Sequence, residues 1–90
     1  MSGIPDARRR RLLYRSRHRG TREMDSLIGG FADCHLDGMS GPELEEFERI
    51  LEFSDPDLFS WLIGGTAVPS ECDGPVMVRL RAFRLPKAGP

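Results

Sequence analysis

The chain has 90 residues, 39% of them hydrophobic and 30% charged, with a net charge of −1 at pH 7. A chain of that length makes one domain with a modest core, so its stability is expected to be marginal. No apolar run approaches the ~20 residues of a membrane-spanning helix, and Met1 to Arg11 lacks the apolar stretch of a secretory signal.

Cys34 and Cys72 form no CxxC pattern, which argues against a disulfide-stapled secreted fold. Two buried or half-buried thiols are expected instead. Asp33, Cys34, His35 and Asp37 lack the second donor cluster that a closed metal site requires, so no metal is assigned. The charges are segregated: residues 1–22 hold eight arginines against one acid, residues 23–75 hold thirteen acids against Arg49, and residues 76–90 turn basic again. Such a bipolar field favours oriented docking on a partner. The alternative is that the two signs merely solvate different helix faces.

In chain order, residues 1–5 read as a frayed tail and Asp6 as the N-cap of a helix reaching about Arg17. Only Ala7, Leu12, Leu13 and Tyr14 are apolar there, so this helix is mostly wet. Gly20 stands where a chain-reversing C′ glycine is expected. From Thr21 a second helix runs to about Cys34 or His35, with Met24, Leu27, Ile28 and Phe31 on one stripe. Gly29-Gly30 within it points to the close approach of a neighbouring helix or to a bend. Leu36 to Met39 is the connecting loop.

Ser40-Gly41-Pro42-Glu43 is a capping box with proline in the first turn. The helix it opens turns Leu44, Phe47, Ile50 and Leu51 inward and Glu45, Glu46, Glu48 and Glu52 to water. Ser54-Asp55-Pro56-Asp57 repeats the start signal, so the third helix ends near Phe53. The fourth, with Leu58, Phe59, Trp61, Leu62 and Ile63, is apolar nearly all round and hence central. Gly64-Gly65 stops it, Thr66 to Asp73 is a loop, and Val76 to Leu85 forms the last helix, with Val76, Met77, Leu80 and Phe83 inward. The pattern predicts an all-α fold, a small five-helix bundle in a single domain with an ordered core over about residues 6–86 and tails at 1–5 and 87–90.

The chain is poorly equipped for catalysis. His18 and His35 sit in no pattern with a nucleophile, no phosphate-binding glycine loop is present, and a bundle this small leaves little room for a ligand pocket. No catalytic, cofactor-binding or metal-binding residue is assigned. One binding reading makes this a small nucleic-acid-binding or regulatory protein, with Arg8 to Arg11, Arg15, Arg17, Arg19 and Arg22 against backbone phosphates; the acidic helices would repel a nucleic acid and oppose it. The other makes the corner Arg19 to Glu23 a protein-docking edge.

That corner is where a family resemblance enters. Arg19-Gly20-Thr21-Arg22-Glu23-Met24-Asp25 resembles the RGxxE motif of the SdhE family, also called succinate dehydrogenase assembly factor 2. Arg10-Arg11-Leu12-Leu13-Tyr14-Arg15 resembles that family's first helix, and Asp55-Pro56-Asp57-Leu58-Phe59-Ser60-Trp61-Leu62 its second signature. Met77-Val78-Arg79-Leu80 is similar as well, so the resemblance covers about residues 8–85.

The resemblance implies a five-helix assembly chaperone for the flavoprotein subunit of succinate dehydrogenase, and in some bacteria of fumarate reductase. Such factors promote covalent attachment of FAD to a histidine of that client, so no stably bound cofactor is expected. Arg19, Gly20 and Glu23 would form the functional surface, with Arg15, Arg22 and Asp25 beside them. Asp55, Pro56 and Trp61 would shape the fold. A monomer in a bacterial cytoplasm is expected over one in a mitochondrial matrix.

Overall fold

A computed structural model describes residues 6–83. Along them run five α-helices: α1 (Asp6–Arg17), α2 (Arg22–His35), α3 (Gly41–Leu51), α4 (Asp55–Leu62) and α5 (Pro75–Ala82). Short 3-10 turns at Leu36–Gly38 and Ser70–Cys72 lie in the two longer connections. The helix starts follow from local chemistry. The Thr21 hydroxyl accepts the Met24 N–H, and the Ser54 hydroxyl accepts the Asp57 N–H. Ser40 and Glu43 exchange side-chain and backbone hydrogen bonds as a full capping box. After α4, Gly65 takes φ +78° and the Thr66 N–H reaches back to the Ser60 carbonyl.

The core follows the predicted stripes. Met24, Leu27, Ile28 and Phe31 of α2 close on Leu44, Phe47, Ile50 and Leu51 of α3, with Leu58, Trp61 and Leu62 of α4 and Val76, Met77 and Leu80 of α5 around them. The Phe31 and Phe47 rings stand 5.8 Å apart. α1 packs on α2 at Gly29, where a Cβ would lie 3.1 Å from Arg17 Cγ and 3.3 Å from its Cα. Of the two readings of that glycine, close helix approach is the one observed, and α2 runs unbroken past it.

Several expectations are corrected. On α1, Tyr14 is exposed and stacks on His18 at 4.0 Å, while Ser16 is fully buried. Serine fits the tight crossing because it is small and its hydroxyl donates to the Leu12 carbonyl at 2.7 Å. On α4 Phe59 is exposed, as is Ile63 at its C-cap, so this helix has an outer face after all. α5 stops at Ala82 instead of Leu85. Phe83 turns extended, and its ring then meets Phe31 edge-on at 5.7 Å and His35 at 6.1 Å. Cys34 is exposed and only Cys72 is half-buried. Asp6 is already the first residue of α1, nothing is described of its side chain, and the tails at 1–5 and 87–90 lie outside the described residues.

The glutamates of α3 are the largest correction, because three of the four read as solvated hold other elements. Glu46 accepts the Met77 N–H at 2.9 Å and so caps α5, whose own N-cap, Gly74, has no side chain to offer. Glu48 pairs with Arg8 at 2.6 Å, and Glu52 with Arg15 at 2.9 Å. On the same helix, Glu43 pairs with Arg79 of α5 at 2.7 Å. The segregated charges therefore meet across helices more than they face a partner.

This arrangement has a pH signature. The Arg8 hydrogen bond holds the Glu48 carboxyl below its ordinary value of 4.5, and the Ser40 backbone N–H, with Arg79 behind it, does the same to Glu43. A carboxylate with a lowered folded pKa stabilises fully above its unfolded pKa, and that contribution is lost as pH falls through the lower folded value. The urea midpoint is expected to fall as pH drops below 4.5. Glu48→Gln should start lower at neutral pH and lose less across that window.

Candidate functional site

The corner between α1 and α2 is built by an internal hydrogen-bond set. α1 ends at Arg17, and Gly20 comes three residues later with φ +117°. It is thus not a cap directly on the helix end. The Asp25 carboxylate accepts the backbone N–H groups of both Arg19 and Gly20, the latter at 3.1 Å, and so holds the loop. A Cβ on Gly20 would meet only Asp55 Oδ2, at 3.8 Å. Backbone conformation, rather than crowding, is what calls for glycine here.

Arg19 points inward. Its Nε donates to Asp55 Oδ1 at 2.9 Å, and its two terminal nitrogens donate to the carbonyls of Leu51 and Phe53, each at 2.7 Å. Leu51 and Phe53 lie at and just past the end of α3, where helix carbonyls lack intrahelical partners. Asp55 opens α4, a position that favours an acid. A single arginine, its side chain only 11% exposed, therefore ties the α1–α2 loop to the α3–α4 junction.

The six residues assigned to partner binding divide in two. Arg19 and Asp25 are committed to the corner, and Arg15 pairs with Glu52. Gly20, Arg22 and Glu23 are exposed. The side chains of Arg22 and Glu23 have no hydrogen bond or ion pair among the described residues. Four of the six arginines of α1 are engaged, Arg8 with Glu48, Arg9 with the carbonyls of Leu36 and Met39, Arg15 with Glu52 and Arg17 with Asp33, whereas Arg10 and Arg11 are exposed and unpaired among the described residues. Arg10 and Arg11 are thus what that helix has left to meet phosphates.

Two open grooves flank this frame, where sequence reasoning expected little room. One of about 710 Å³ lies between α3 and the approach to α5. The other, of about 560 Å³, borders Arg22 and Glu23 and is walled by Leu27, Leu62, Leu80 and Phe83. The second was missed because its walls read as core. Its one available signal was Ile63, which falls directly before Gly64-Gly65, outside the regular turns of α4.

Against known proteins, the family model described as flavinator of succinate dehydrogenase matches residues 10–84. The chain belongs to that family. As a flavinator-family protein it is 49% identical over 74 residues to the FAD assembly factor SdhE of Acetobacter pasteurianus, covering 82% of this chain and 68% of that one. It is 37% identical over 90 residues to the mitochondrial succinate dehydrogenase assembly factor 2 of Caenorhabditis elegans, covering 92% and 76%. The Dictyostelium discoideum protein of the same name is 35% identical over 69 residues, and the match spans about half of it, 49%. In family terms, both quoted signatures fall inside the matched segment, and Arg19 of the first is bonded to Asp55 of the second.

Proposed function

We propose that this protein is an FAD assembly factor that docks on the flavoprotein subunit of succinate dehydrogenase and promotes its covalent flavinylation. The observation that carries this reading is the pair Arg22 and Glu23, exposed and unpartnered among the described residues, beside a corner locked from within by Arg19 and Asp25. A rigid edge with two charges to spend suits a partner surface better than a substrate pocket. The chain acts as a chaperone rather than an enzyme, holds no flavin of its own and works as a cytoplasmic monomer.

The chemistry is the client's. Bond formation needs the client histidine and the flavin methyl carbon held in near-attack geometry. A docked partner promotes this only by binding that client conformation better than the others. Gly20, Arg22 and Glu23 make the contact, while Arg19, Asp25 and Asp55 position them.

The test is covalent flavin in the purified subunit, read as in-gel fluorescence after denaturation. Glu23→Arg is expected to lower it by about tenfold or more, because like charges then meet across the interface, with an unchanged melting curve. Wild-type flavinylation by that variant would refute the site. Gly20→Arg also blocks the edge, but φ +117° adds a strain of about 1–3 kcal/mol for any side chain. Gly20→Ala carries the same strain without the bulk and serves as its control.

A further inference from the structure

We infer that the groove beside Arg22 and Glu23 is a second half of the docking surface, which receives an apolar side chain of the flavoprotein client. This rests on the function proposed above. The groove encloses about 560 Å³ between α2, α4 and α5. Leu27, Leu62 and Leu80 make its walls and are nearly buried, whereas Ile63 on its lip is 52% exposed. A concave recess lined by apolar side chains with a few polar groups at its rim is the usual form of a binding site.

Its position says which partner fills it. The recess at the corner, lined by His18, Gly20, Thr21 and Asp25, shares Arg22 and Ser26 with this groove, so the two form one continuous surface. A protein seated on the Gly20 corner reaches the groove mouth across Arg22 and Ser26. The rim sets the chemistry of the entering segment. Arg22 and Glu23 stand side by side with opposite charge, so the fitting segment carries an apolar residue with an acid on one side and a base on the other. A small apolar molecule would leave both charges unused.

Flavin-free flavoprotein subunit of succinate dehydrogenase, titrated with this protein, tests the inference. Ile63→Asp places a charge at the mouth without touching the buried walls. It is expected to weaken binding by about tenfold or more and to leave the melting temperature unchanged. Val78→Asp, equally exposed but outside the groove, is expected to bind as wild type. Should Ile63→Asp melt early, Ile63→Ser removes the apolar lip without adding a charge and should weaken binding in the same direction, while Ser26→Trp narrows the groove from the rim it shares with the corner recess.

If wild-type protein does not bind the subunit at all, the proposed function fails first. If wild type binds and Glu23→Arg does not, yet Ile63→Asp, Ile63→Ser and Ser26→Trp all bind normally, only the groove inference is overturned. It is also overturned if sedimentation shows a dimer of this chain that Ile63→Asp dissociates while client binding is unaffected.

Discussion

Arg19→Ala is expected to lower folding stability by about 2 kcal/mol, between the loss for an exposed ion pair and that for a buried one, since the Arg19–Asp55 pair is part-buried. The variant leaves the Asp55 carboxylate and the Leu51 and Phe53 carbonyls without the donor that now serves all three. Water reaches the ion pair poorly, since the Arg19 side chain is 11% exposed and the Asp55 side chain 20%. Set against a total of ~5–15 kcal/mol for a native domain, this loss is severe in a chain of 90 residues. Urea denaturation measures it directly.

Two companion variants show why the residue is arginine. Arg19→Lys should recover only part of the loss, because an ammonium cannot present a planar fork to three separate acceptors. Crossing Arg19→Ala with Asp55→Ala should give a coupling energy well away from zero, as expected for groups in direct contact. If Arg19 were a docking residue alone, its removal would leave the urea midpoint in place and the cycle would be additive.

Phe47→Ala should cost about 3–5 kcal/mol, the usual range for deleting a buried aromatic ring. The residue is fully buried, with Phe31 beside it and α2 and α5 packed around the same core. In a domain of this size each kcal/mol moves the melting temperature by about 4–8 °C, so thermal denaturation reads the change easily. Phe59→Ala provides the contrast. That ring is 41% exposed, and its removal should stay within about 0.5 kcal/mol of wild type. Equal losses at the two positions would mean that the core is not where the helix stripes place it.

The helix order, the starts at Thr21, Ser40 and Ser54, and the inward stripes of α2 and α3 were legible in the sequence. Each depends on residues within one or two turns of one another. A hydroxyl three residues before the N–H it accepts needs no knowledge of the rest of the chain. The same holds for the corner itself, where Gly20 and the charges around it stood out from spacing alone. The family signatures added the function proposed for that corner.

What the charges do was not legible, because their partners are remote. Arg8 finds Glu48 at a separation of 40 residues, and Arg19 finds Asp55 at 36. A run of arginines followed by a run of acids reads as a dipole when the chain is laid out in a line. Folded, those runs lie against each other, and most of the charge is spent holding helices together. Arg22 and Glu23 look no different from Arg19 and Asp25 until that pairing is seen. Local spacing decided where each helix begins and which face it buries. The packing of one helix on another decided which charges are left over for a partner, because a guanidinium bonds whatever the fold brings within about 3 Å of it.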